Sequence, residues 1–152
     1  MNTMYKDVKN GKYLALDSNA VVSIFPDSLL RRNWSSDDFY LYSKQVTVHG
    51  FPLFSLIHYQ YAIGYYLKLV LLSPENEFIA SSIVAMRAGE GGASADAHTT
   101  FLNDSVFVVT TVYGETDFDS SGRTRIDSVI STFIIRPNGF SQIERKQFEY
   151  MR

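Results

Sequence analysis

The chain has 152 residues, the length of one ordinary domain, and can bury roughly two thirds of the surface that its unfolded form exposes. It contains no cysteine, which excludes disulfides, thiolate metal sites and a cysteine nucleophile. Its 14 basic and 16 acidic residues leave a net charge of −2, so no general attraction draws it to phosphate backbones or anionic membranes, and nucleic acid is not an expected partner.

The opening "MNTMYKDVKNGKYLALD" is interrupted by Lys6, Asp7, Lys9 and Lys12 and does not read as a signal peptide. Location therefore reads two ways: cytoplasmic if the sequence is complete, envelope or secreted if a leader was removed. "KYLALD" and "AVVSIF" are expected as short strands, "PDSLLRRNW" (Pro26 to Trp34) as one or two helical turns, and "FYLYSKQVTVH" as another strand. The longest stretch without Asp, Glu, Lys or Arg runs from Gln45 to Leu67 and could span a bilayer by length alone. Pro52, Gly50, Gly64, His49, His58, Gln60 and several tyrosines break the aliphatic run that a spanning helix needs, so it reads as strands and no membrane insertion is expected.

"YYLKLVLLS" (Tyr65 to Ser73), the turn "PENE" and "FIASSIVAMR" (Phe78 to Arg87) form a hairpin. The break "RAGEGGASADAHTTF" then places three glycines, two acids and a histidine between apolar runs. Its G-x-G-x-x-S spacing lacks the lysine and following helix of a phosphate loop, and Glu90 and Asp96 would repel phosphate. It is expected to be a hairpin loop, mobile from Gly89 to Ala97 and without a ligand. "HTTFL", a tight turn at Asn103 and Asp104, and "SVFVVTTVY" (Ser105 to Tyr113) follow, then the polar tip "GETDFDSSGRTR". "IDSVISTFIIR" (Ile126 to Arg136), a turn at Pro137 to Gly139 and "FSQIERKQFEY" complete the chain. The fold class is all-β with a minor helical part: one domain, 1–152, forming an antiparallel β-sandwich or open barrel with a C-terminal meander.

From Tyr65 onward, the order "YYLKLVLLSPENEFIASSIVA", a glycine-rich gap, "FLNDSVFVVTTV", a polar gap and "STFIIRPNGF" resembles the C-terminal β-meander of small uncharacterised bacterial proteins. Many of those are envelope lipoproteins of gut bacteria. The resemblance covers a little over half the chain and implies an antiparallel sheet; that family has no agreed activity, so it implies no catalytic residue. The sequence departs from it in lacking a leader and a lipid-bearing cysteine.

Two places carry candidate sites. Asp117, Asp119, Ser121 and Gly122 reproduce the opening of a calcium loop, with alternate oxygen side chains and a glycine at the bend. Ser128 stands where the bidentate closing Glu belongs, and Arg123 and Arg125 offset the acids, so calcium is expected to bind weakly or not at all and no cofactor is expected. Around "FPLFSLIHYQYAIGYY", Tyr59 and Tyr61 share one strand face, while His58 and Gln60 share the other. Together with Trp34 these rings could stack on a sugar or anchor a protein. The expected function is thus a non-enzymatic binding or interaction domain recognising a protein or glycan through an aromatic sheet face, with Trp34, His58, Tyr59 and Tyr61 as ligand contacts. The alternative is a hydrolase-type enzyme built from His49, His58, His98 and scattered acids, although no G-x-S-x-G elbow or zinc-ligand spacing is present. A deep pocket gathering two histidines with an acid would favour the enzyme; an exposed tyrosine row would favour binding.

Overall fold

The computed structural model describes residues 3–25, 39–60, 63–116 and 124–151. Among these residues, two short helices, α1 (Thr3–Lys9) and α2 (Ser18–Ile24), accompany nine strands: β1 (Leu14–Ala15), β2 (Phe39–Lys44), β3 (Leu53–Gln60), β4 (Gly64–Leu72), β5 (Phe78–Glu90), β6 (Ala93–Phe101), β7 (Val106–Thr116), β8 (Thr124–Arg136) and β9 (Gly139–Met151). All nine lie in one antiparallel sheet whose spatial order is the chain order, β1 to β9. The all-β antiparallel fold therefore takes the form of a single open sheet, not closed into a barrel, and the meander expected for the second half runs through the first half as well.

Turn chemistry fixes the hairpins. Ser73 Oγ accepts from the backbone N–H groups of Glu75 and Glu77, closing the "PENE" turn. Asn103 Oδ1 accepts from the N–H groups of Ser105 and Val106 and so reverses the chain between β6 and β7. The glycine-rich break departs from expectation. Glu90 pairs with Ala93, and only Gly91 and Gly92 form the turn, both at positive φ, the requirement of a two-residue hairpin of matching twist. Residues 93–97 are strand, paired to β5 on one side and β7 on the other, not a mobile loop. Small side chains suit this place: a Cβ on Gly114 would stand 2.8 Å from Ser94 Oγ.

The segment "AVVSIF", expected as a strand, is a helix. Asp17 caps it, its Oδ1 accepting from Ala20 N at 2.8 Å, and Val21 and Phe25, four residues apart, bury one face. "KYLALD" contributes only the two-residue β1. The helical turn expected over Pro26 to Trp34 lies outside the described residues.

Two cores hold the sheet. On one face of β2–β4, Val21 and Phe25 pack on Phe39, Leu56, Val70 and Leu72, with the Phe25 ring 5.3 Å from Phe39 and 5.8 Å from Phe78. The larger core draws Leu53, Leu69 and Leu71 together with Val84, Ala97, Phe107, Val109 and Ile135, so it spans β3 to β8. Phe107 is its centre, in ring contact with Phe101, Phe133 and Phe140. A flat sheet could not assemble such a set; the sheet curls, and a Cβ on Gly139 at the start of β9 would stand 3.3 Å from Ala80 Cβ in β5.

Candidate functional site

The structure divides the expected aromatic site. His58 lies in β3 between Phe39 of β2 and Tyr66 of β4 in the strand register. Its ring stacks on Phe39 at 4.5 Å with the planes 4° apart, Tyr66 stands 5.8 Å away, and both ring nitrogens are withdrawn from solvent. At 2% exposure it is a core residue. Lys68, on the same face, brings its ammonium to 5.9 Å from the Phe39 ring centre. Burial first, and then the Lys68 charge, lower the His58 pKa to about 4, so the imidazole is neutral at pH 7; burial also pushes Lys68 below the ordinary lysine value. Tyr59 faces the other way, half-buried beside Tyr65. The two residues therefore do not share a surface. Trp34 and Tyr61 lie outside the described residues, as do Asp117, Asp119 and Ser121 of the calcium-like tip.

The histidines are dispersed. His49 occupies the turn between the bridged residues Val48 and Phe51, and His98 sits in β6, three strands from His58 or about 14 Å across the sheet. Among the described residues no three of His, Asp or Glu converge to hold a metal ion. The fully buried serine, Ser55, is held by Ser43 Oγ at 2.6 Å and by Gln45 Nε2 at 3.0 Å, a hydrogen-bonded cluster without a general base in it.

A different face offers an open site. In the register of β5 to β8, Met86, Ala97, Thr111 and Val129 form one cross-strand row; Val109 and Ser131 form the next, with Arg145 beside Ser131. These residues, with Ile83, Tyr113 and Phe133, line a solvent-open cleft of about 280 Å³. Ile83 is 42% exposed and Tyr113 45%, so apolar surface reaches solvent at the walls. Thr99 anchors the neighbouring backbone through a short hydrogen bond to the Val84 carbonyl. Next to Tyr113 in the ladder stands Asp127, which Arg125 contacts at 3.4 Å while also reaching Glu149 at 3.1 Å. No protein-family model, curated protein or solved structure matches the chain. The site must be read from its own chemistry. No helix among the described residues is long and apolar enough to cross a membrane.

The cleft residues carry no motif, but their alternation is visible in the sequence. Val109, Thr111 and Tyr113 alternate along one strand, and Val129, Ser131 and Phe133 along the next, which places each set on one face. The register that brings the two sets together is a tertiary property.

Proposed function

We propose that this chain is a non-enzymatic binding domain that recognises a protein through the sheet face of β5 to β9, with the cleft between Ile83 and Tyr113 as its anchor pocket. The observation that carries the reading is the lining itself: Met86, Ala97, Val109, Val129 and Phe133 provide an apolar floor, with Thr111, Ser131 and Arg145 as the few polar groups. That is the composition of a binding pocket. Its volume of about 280 Å³ falls just below the range of ~300–1,000 Å³ usual for small-molecule sites and suits an apolar side chain presented by a protein. The lining has Tyr113 and Phe133 but no Asn or Gln, and a floor of Met86, Ala97, Val109 and Val129 suits an apolar side chain better than a glycan, which needs amide or carboxylate partners for its hydroxyls.

The test is comparative capture from source lysate with the immobilised chain and with Ile83→Glu and Tyr113→Ala, two exposed positions, each variant first required to match the circular dichroism spectrum of the parent. A protein retained by the parent and lost by both variants supports the reading. Equal capture by all three overturns it, and release by a free oligosaccharide would reassign the cleft to a glycan.

A further inference from the structure

The two edges of the sheet are built differently. β1 is two residues long, whereas β9 runs for 13 and, among the described residues, pairs on one side only. Its irregularity lies at Ile143; from Glu144 to Met151 the register to β8 is unbroken. An edge of this length presents a row of backbone donors and acceptors to any incoming strand. Edge strands that resist pairing carry proline or a run of charges. β9 has no proline; the irregularity at Ile143 and the run Glu144-Arg145-Lys146 blunt it against indiscriminate pairing, but its charges, with Glu149, are of both signs and so admit a partner of complementary pattern.

We propose that the outer edge of β9 pairs antiparallel with β9 of a second copy, about a twofold axis through Gln147, joining the two sheets into one. The ladder to β8 places Arg145, Gln147 and Glu149 on one face, opposite Ser131, Val129 and Asp127, and Glu144, Lys146, Phe148 and Tyr150 on the other. A twofold axis normal to the sheet keeps each face continuous and makes the contact self-complementary. With Gln147 on the axis, Arg145 of each copy meets Glu149 of the other, Lys146 meets Phe148, and Glu144 meets Tyr150. Opposite charges thus face each other twice, and like charges never do. Moving the axis to Arg145, Lys146 or Glu149 sets two like charges against each other, and moving it to Phe148 forms no ion pair. The same register covers Phe148 and Tyr150, which are 52% and 50% exposed on the single chain. Arg125, already 3.1 Å from Glu149, would extend each ion pair into a three-residue network.

Seven residues of edge pairing make a small interface, so a dissociation constant of about 1–100 μM is expected. Sedimentation equilibrium of the full chain from about 1 to 500 μM should resolve monomer and dimer. Arg145→Glu and Glu149→Arg each create two like-charge contacts and should weaken the dimer about tenfold or more, while the double reversal, made with Arg125→Gln because Arg125 contacts position 149, should restore it. Gln147→Lys, which sets two ammonium groups on the axis, is a second probe should either reversal disturb folding. Tyr113→Ala should leave the dimer unchanged, which separates this proposal from the cleft reading. A monomer throughout, or a dimer indifferent to the single reversals, or a double reversal without recovery, overturns it.

Discussion

At the scale of single residues, His58 and Gly64 show what burial and backbone demand. The folded chain holds the His58 pKa at about 4, below the ordinary 6.5 of a histidine. As pH falls below about 6.5 the unfolded chain gains a proton that the folded chain refuses, so the contribution of this residue is complete above 6.5 and is lost toward pH 4. The melting temperature of the parent should therefore fall more steeply between pH 6.5 and 4 than that of His58→Phe, which keeps a ring on Phe39 but has no proton to bind. Parallel curves would mean that His58 titrates normally in the folded chain. Gly64 makes a sharper demand, for φ there is +150° and a Cβ would fall 2.0 Å from the Arg87 carbonyl oxygen and 2.7 Å from Ala88 Cα. Backbone cannot swing aside as a side chain can. Gly64→Ala should cost about 2 kcal/mol or more in urea unfolding, whereas Gly91→Ala, at φ +57° in open space, should cost only about 1 kcal/mol.

At the scale of elements, the decisive local signals are caps and turns. Asp17→Ala removes the acceptor for Ala20 N and should destabilise α2, and with it the packing of Val21 and Phe25, by about 1 kcal/mol, read from chemical denaturation. That cap was legible, but it was outweighed: the apolar residues of "AVVSIF" fit a strand as well as a helix, and only the Asp before them distinguishes the two. The strands from Tyr65 onward were legible because β-branched runs ended in Pro, Asn or Gly turns. β6 was not, since "ASADAHTT" has the composition of a loop and becomes a strand only by lying between β5 and β7. For the site, the alternation in β3 correctly separated His58 from Tyr59, but it carried no information on which face was covered. α2 packs on the face of Leu56 and Val70 beside His58, and a ring read as a ligand contact became part of the core. The cleft escaped notice for the same reason, because its residues come from five strands whose mutual register no single stretch encodes.

At the scale of the whole molecule, the two cores mature at different points along the chain. Among the described residues, every member of the smaller core lies at or before Phe78, whereas the larger one needs Ile135 and Phe140 as well. Because spatial order equals chain order, each strand from β3 onward joins its predecessor across a short connection, and the entropy of closing a loop is met in small steps. Pulse-labelled hydrogen exchange during refolding should therefore find the amides of β3 and β4 protected no later than those of β8 and β9; the reverse order would place the nucleus in the C-terminal hairpin. The strictly sequential sheet also bears on synthesis at the ribosome. An arrangement with crossovers must keep strands waiting, exposed, for partners not yet made, but here each new strand meets a template that is already translated. The nascent chain thus has one growing edge at any moment, and among the described strands that edge advances with translation from β2 to β9.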